Sequence, residues 1–148
     1  MDLRGRRLMM LGMVLFAIGL LTGLTISLGV FKNPRLALST HLEGVLNGTY
    51  LVAVGLAWPR FLLTEGQKRV AFLLVAYGTV ANWFFTLLGA AFGTKMLTPL
   101  AGAGYTAEQW QELLVAAGLT SLVVAMLGST LLFIYGLRGA EPDSANAR

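Results

Sequence analysis

The sequence predicts an all-α protein, an integral membrane four-helix bundle with both termini in the cytoplasm. Of its 148 residues, 56% are hydrophobic and only 12% are charged, which is the composition of a chain that lies mostly in lipid. The charges form short clusters separated by uncharged runs of about 20 residues, each long enough to cross about 30 Å of hydrocarbon. We therefore exclude a soluble domain and expect residues 1–148 to form a single membrane domain.

The first predicted span covers residues 8–31. Arg4, Arg6 and Arg7 precede this uncharged run, and the sequence Lys-Asn-Pro-Arg at 32–35 follows it. Proline and cations both stop a membrane helix, so we place its end there. The run is longer than the roughly 7–15 apolar residues of a signal peptide, and no small-x-small cleavage pattern follows. We expect it to remain in the mature protein.

The second predicted span covers residues 39–58. Ser39 or Thr40 supplies a side-chain oxygen that can cap the first turn of a helix. The Pro-Arg pair at 59–60 then ends the span, because proline cannot continue the helical hydrogen bonds.

The third and fourth predicted spans cover residues 70–93 and 110–137. The segment 94–108 between them contains a proline and two glycines, and we interpret it as a lid or spacer on the non-cytoplasmic side. The polar tail at 141–148 is predicted to be disordered.

The basic residues indicate the orientation of the chain. Eight Lys and Arg residues flank the predicted cytoplasmic ends of the spans, and three flank the opposite ends. By the positive-inside rule both termini are cytoplasmic. The sequence pI of about 9.9 does not indicate nucleic acid binding, because the basic residues flank apolar runs and form no continuous basic face.

A polar face on the second span is the first candidate for a functional site. Glu43, Asn47 and Tyr50 follow one another at i, i+4 and i+7, so they share one face of the helix. An ionisable carboxylate at the centre of a span costs roughly 2.5–3.5 kcal/mol on insertion scales. We therefore expect this face to meet the protein interior, a subunit boundary or a wet cavity.

The third span carries a matching polar stripe. Asn82 and Thr86 are one turn apart, with Trp83 and Phe85 beside them. Because the two spans run in opposite directions, Asn47 and Asn82 are predicted at similar depth near the midplane. Two carboxamides at one depth suit a ligand site or a simple hydrogen bond between helices, and these residues alone leave both interpretations open.

Three pairs of glycines show the small-xxx-small spacing that lets helix backbones approach closely in lipid. This spacing predicts close helix contacts and specifies no function. The pairs are Gly19/Gly23, Gly44/Gly48 and Gly89/Gly93.

His41 is the only histidine, and the chain has no cysteine. These counts exclude thiolate chemistry and a zinc site made of several histidines in one chain. Haem, however, needs a single axial protein ligand. Gly44 and Gly48 lie one and two turns from His41, where bare backbone would admit a flat macrocycle. The alternative is a histidine that only forms a hydrogen bond at a helix end.

The polar segment of the second span resembles that of the hydroxylaminobenzene mutases, four-span bacterial membrane proteins that rearrange N-hydroxylaminoarenes to aminophenols. The related styrene oxide isomerases share its His-x5-Asn-Gly pattern and an Ala-Asn pair in the third span. The resemblance extends over all four spans. The matching residues are Arg35, Ser39, His41, Leu42, Glu43, Gly44, Asn47 and Gly48, with Ala81 and Asn82 in the third span.

This resemblance implies haem b with His41 as axial ligand, a homotrimer with the cofactor near subunit boundaries, and a place in the bacterial inner membrane. Iron with an open position is then a Lewis acid for the oxygen of a small, lipid-soluble aromatic substrate. Asn47 and Asn82 are expected to orient that substrate, with Thr86 as a further donor. We further assign Gly44 and Gly48 to cofactor binding. The expected substrate contacts are Tyr50, Trp83, Phe85 and Glu43.

Thr86 separates the two activities. The epoxide isomerases carry a tyrosine one turn after the third-span asparagine, where this chain has Thr86. The His-Leu-Glu-Gly sequence at 41–44 also favours the mutase, and an epoxide-to-aldehyde isomerase is the alternative. Two further function classes are alternatives. A small multidrug transporter needs a carboxylate in the first span, which residues 8–31 lack, and a non-catalytic membrane subunit needs no polar cluster at matched depth.

Overall fold

Four long helices make up most of the computed structural model, which describes residues 2–138. No β-strand occurs in that range, so the prediction of an all-α chain with four helices is confirmed. The tail predicted to be disordered, 141–148, lies outside the described residues. The helices are α1 (Leu3–Ile26), α2 (Pro34–Ala57), α3 (Glu65–Phe92) and α4 (Gln109–Leu137), with a 3-10 turn at Trp58–Arg60 after α2.

Helix α1 begins earlier and ends earlier than the predicted span 8–31. Asp2 caps its first turn, where the carboxylate accepts a hydrogen bond of 2.9 Å from the backbone N–H of Arg4. Beyond Ile26 the chain turns, and Gly29 adopts a left-handed φ of 65° that ordinary residues avoid. The helix therefore stops before the cations at 32–35.

The start predicted for the second helix at Ser39 or Thr40 is wrong. Asn33 caps α2, because its side-chain oxygen accepts from the backbone N–H groups of Arg35 at 3.0 Å and Leu36 at 3.2 Å. The proline that follows suits the first helical position. The hydroxyls of Ser39 and Thr40 instead donate to backbone carbonyls one turn earlier.

Helices α3 and α4 end at Phe92 and Leu137, close to the predicted last residues 93 and 137. Helix α3 starts before residue 70, at Glu65, because Thr64 and Gln67 form a reciprocal capping box. Helix α4 runs from Gln109 to Leu137, in agreement with the predicted 110–137.

Three of the helices in residues 2–138 are long and apolar enough to cross a membrane, namely α1, α3 and α4. Large apolar side chains project from their outer faces, as Met10, Leu73 and Val124 illustrate. Helix α2 has 24 residues but is not among these three, and it carries the polar segment 39–50. The helices long and apolar enough to span a membrane are thus the three that accompany the most polar helix, α2.

Glycines let α1 and α2 pack backbone against backbone along their whole length. A Cβ added to Gly19 would lie 2.7 Å from the carbonyl carbon of Gly44, which is well inside van der Waals distance. The expectation of close helix contacts is confirmed, and the contacts recur about every two turns of α1. The pairs in contact are Gly5 with Gly55, Gly12 with Gly48, and Gly19 with Gly44.

Aromatic side chains close one end of the bundle. Trp58 is 1% exposed, and its ring meets those of Phe61 and Phe133 edge-on. Its indole N–H donates to the carboxylate of Asp2 at 3.1 Å. This cluster fixes the turn between α2 and α3 against the start of α1 and the end of α4.

The segment 94–108 closes the other end. The Asn33 amide donates to the carbonyl of Ala101 at 2.9 Å, and the Lys32 ammonium donates to Thr106 at 2.5 Å. The buried carboxylate of Glu112 accepts from the backbone N–H groups of Lys95 and Met96. The segment predicted to be a lid or spacer is thus tied to the α1–α2 turn.

Candidate active site

His41 lies half-buried against α1. Its Nδ1 is 2.8 Å from the carbonyl oxygen of Gly19, and a Cβ added to Gly23 would lie 2.7 Å from the same nitrogen. A carbonyl oxygen can only accept, so Nδ1 carries the proton and Nε2 of the neutral ring keeps its lone pair. Metal-binding histidines commonly have this arrangement, with one ring N–H donated to a backbone carbonyl.

A largely apolar groove of about 740 Å³ opens beside His41. This volume falls in the range of about 300–1,000 Å³ that small-molecule and cofactor sites occupy. One imidazole and an apolar groove fit the requirements of haem, whose porphyrin supplies its own four nitrogens. No three acidic, histidine or cysteine side chains converge anywhere in the described part of the chain. The groove is lined by Leu20, Gly23, Leu24, Ile26, Ser27 and Leu38 besides His41.

A second polar centre joins α2 to α3. The Oε2 atom of Glu43 accepts hydrogen bonds from the Nδ2 groups of Asn47, at 3.2 Å, and Asn82. Asn47 is buried and also donates to the carbonyl of Thr79 at 3.4 Å. The two asparagines thus lie at matched depth, as predicted, but a carboxylate stands between them. The sequence predicted Glu43 and Asn47 on one face and did not identify the carboxylate as the link.

Trp83 packs beside this centre, between α1, α2 and α3. The Trp83 indole N–H donates to the Thr22 hydroxyl of α1 at 3.4 Å, and its ring edge would lie 3.1 Å from a Cβ added to Gly44. Trp83 therefore fills the space where three helices meet. Tyr50 is half-buried against the apolar core. Thr22 was not predicted as a site residue. The small-residue spacing of α1 could indicate it only after the pairing of α1 with α2 was known.

Thr86 and Phe85 face α4 and the segment 94–108 rather than His41. Thr86 is buried at a narrow cavity that Thr94 and Val115 also line. The Phe85 ring occupies the space beside Gly118, where any added Cβ would collide with it. The roles predicted for these two side chains stay predictions, and the observed contacts are those of helix packing.

The backbone of α1 fills the space that Gly44 and Gly48 leave open. A Cβ added to Gly44 would lie 2.5 Å from the Cα of Gly19, and one added to Gly48 would lie 2.6 Å from the carbonyl oxygen of Gly12. Within this chain, therefore, α1 occupies the position of each missing Cβ, and the groove that Gly48 does line, of about 210 Å³, lies beside Phe16 and not beside His41. Binding of a cofactor by these glycines stays a prediction, and the glycine that borders the imidazole is Gly23.

The two polar centres lie on different sides of α2. His41 and Glu43 are two residues apart, which at about 100° per residue places them about 200° apart around the helix. His41 contacts α1, whereas Glu43 contacts α3. Within a single chain, α2 separates the imidazole from the carboxamides.

Comparison with known proteins places this architecture in a family. Residues 4–138 match the family described as styrene oxide isomerase. Hydroxylaminobenzene mutase HabB of Ectopseudomonas oleovorans is 47% identical over 136 residues, covering 91% of this chain and 82% of the relative. Hydroxylaminobenzene mutase HabA of the same organism is 37% identical over 127 residues, covering 85% and 93%. No solved structure matches.

These matches support the interpretation as an enzyme over those as a transporter or a non-catalytic subunit. They extend over the whole range of the four helices, including both polar centres. They also confirm the resemblance found in the polar segment of α2. This chain belongs to the styrene oxide isomerase family and is an intramolecular isomerase similar to the hydroxylaminobenzene mutases.

Proposed function

We propose that this chain rearranges a hydroxylaminoarene to an aminophenol with the help of haem b bound at His41. Substrate and product are isomers. The N–O bond breaks and a C–O bond forms on the ring, while the ring carbon loses a proton and the nitrogen gains one. The reaction therefore needs no electron donor or acceptor. The observation that carries the proposal is the Glu43–Asn47–Asn82 cluster, an oriented polar centre in an otherwise apolar bundle.

His41 is the residue we assign to the cofactor. Its Nδ1–H bond to Gly19 fixes the ring and leaves Nε2 as the coordinating atom. The apolar side chains of the adjoining groove suit the faces of a macrocycle. When bound, the iron supplies a Lewis acid for the substrate oxygen.

The chain's own side chains bind and orient the aromatic substrate. Asn47 and Asn82 hold the polar substituent by hydrogen bonds in a site from which bulk water is excluded. The apolar surroundings, to which Trp83 and Tyr50 contribute, admit a small aromatic that partitions from lipid. We retain Thr86 as a further donor to the substrate.

An epoxide-to-aldehyde isomerase is the second candidate. The family match favours it, whereas both mutase relatives and the threonine at position 86 favour the hydroxylaminoarene. Conversion of phenylhydroxylamine and of styrene oxide by the purified protein distinguishes the two. Turnover of styrene oxide alone would reverse our order, and turnover of neither by haem-loaded protein would refute the proposed function.

We also propose that all four helices cross the bacterial inner membrane, with both termini in the cytoplasm. The apolar lengths of α1, α3 and α4 support this arrangement, as does the distribution of basic residues. Helix α2 is then shielded from lipid on its polar sides by α1 and α3.

We propose a homotrimer in which the substrate site is shared between copies. The supporting observation is that α2 separates His41 from Asn82 within one chain, so one substrate reaches both only across a boundary between copies. Co-expression of the His41→Ala and Asn82→Ala variants tests this arrangement. About a quarter of the sites regain both residues if neighbouring copies assort at random around a cyclic oligomer. Mixed protein without activity would refute a shared site.

A further inference from the structure

We infer that Glu43 sets the substrate preference of this site by occupying the amide N–H groups of Asn47 and Asn82. The asparagines then offer two carbonyl oxygens and a single N–H group, and the site favours a substrate that donates hydrogen bonds. This inference rests on the proposed function, because it concerns the substrate of the same cluster.

The orientation of the two amides follows from the chemistry of their shared partner. Oε2 of the Glu43 carboxylate accepts from Nδ2 of both Asn47 and Asn82. Because Oε2 is the acceptor in both bonds, each amide turns its NH2 group toward Glu43. Each Oδ1 atom then lies on the other arm of its planar amide, away from that carboxylate oxygen.

The hydrogen-bond inventory shows which atoms are left for a substrate. Asn47 uses both of its N–H groups, one on Glu43 and one on the carbonyl of Thr79 at 3.4 Å. Asn82 uses one of its two on Glu43. In the described residues no group donates to either Oδ1 atom. Neither oxygen is fully buried, because every fully buried polar side-chain atom in these residues has a partner. Two unpaired acceptor oxygens and one N–H group of Asn82 are therefore left for a substrate.

The two candidate substrates differ in what they bring to these acceptors. A hydroxylaminoarene carries N–H and O–H donors beside its ring, whereas an aryl epoxide offers only an acceptor oxygen. The two amide oxygens accept from the first substrate only, whereas the one unused N–H group of Asn82 can donate to either. We expect the difference to be about tenfold in relative kcat/KM, the value of one net hydrogen bond of about 1.4 kcal/mol.

The experiment is the ratio of kcat/KM for phenylhydroxylamine to that for styrene oxide, measured on purified protein. Glu43→Gln keeps a carbonyl oxygen that accepts both N–H groups, so we expect the ratio to stay within about threefold of the parent. Glu43→Leu removes the acceptor and frees the N–H groups, so we expect the ratio to fall about tenfold. Glu65→Gln, at an exposed carboxylate in the first turn of α3, is the control for lost charge.

A Glu43→Leu ratio equal to that of the parent would overturn the inference, and so would a Glu43→Gln ratio as low as that of Glu43→Leu. Glu43→Ala replaces the leucine variant if that variant does not assemble. If the parent converts neither substrate, the proposed function fails. The inference is then tested on binding alone, as the ratio of the dissociation constants of 2-aminophenol, a donor, and acetophenone, which only accepts.

Discussion

A single methyl group at Gly44 tests the link between helix packing and the cofactor. In Gly44→Ala the new Cβ would lie 2.5 Å from the Cα of Gly19 and 3.0 Å from its nitrogen. Carbon atoms pack without repulsion from about 3.5 Å, so α1 and α2 must separate locally by about 1 Å. Overpacking of this kind typically costs about 1–3 kcal/mol of stability.

The same displacement acts on His41, because its Nδ1 bond of 2.8 Å ends on the carbonyl of Gly19 itself. A shift of about 1 Å takes this bond beyond hydrogen-bonding distance and releases the ring. Loss of such an outer partner typically lowers metal affinity by about 10–100-fold. We expect Gly44→Ala to lower the affinity for haem by a factor in this range while the imidazole remains.

The assay is a haem titration followed by the Soret band, together with thermal unfolding in detergent followed by circular dichroism. Gly66→Ala is the matched control, because an added Cβ at this position in α3 meets nothing within 4 Å. Parent-like stability of Gly44→Ala would refute the packing argument. Lower stability with parent-like haem affinity would refute the orienting role of the Gly19 carbonyl.

Three further predictions concern the proposed site and topology. His41→Ala loses the Soret band but keeps its helical circular dichroism, and a normal band in this variant would remove His41 from the ligand role. Asn82→Ala keeps haem but loses about ten- to a hundredfold in kcat, because one positioning hydrogen bond is worth about 1–3 kcal/mol, and parent-like turnover would leave the asparagines as helix contacts. A cysteine placed after Arg138 in this cysteine-free chain stays unlabelled by impermeant maleimide in intact cells and reacts after lysis, and labelling before lysis would contradict the orientation.

The helices could be predicted from the sequence because long uncharged runs dominate it, but the start of α2 could not be fixed by capping rules alone. Ser39, Thr40 and Asn33 are all competent caps. The structure selects Asn33, which also binds the segment 94–108 through Ala101. A contact between distant segments therefore decides among local signals of equal strength.

The site shows the same limit. Helical periodicity placed Asn47 and Asn82 at one depth, because depth depends only on length along each helix. It did not show that Glu43 lies between them, since the rotation of α2 about its axis depends on which glycines meet α1. Likewise, Phe85 could not be recognised as a packing residue before Gly118 was known to lie opposite it.

On the proposed four-span topology, the packing of α2 bears on how the chain inserts into the membrane. The translocon tests each segment for partition into lipid, and α2 carries a carboxylate and two buried polar side chains, Thr40 and Asn47, that oppose release on its own. Its glycines match those of α1, the helix that leaves the ribosome just before it. Pairing with α1 covers only the glycine side of α2, because Glu43 and Asn47 are covered by α3. A chain that ends before α3 would therefore leave the carboxylate of Glu43 without its Asn82 partner, so we expect α2 to settle in lipid only after α3 has followed it.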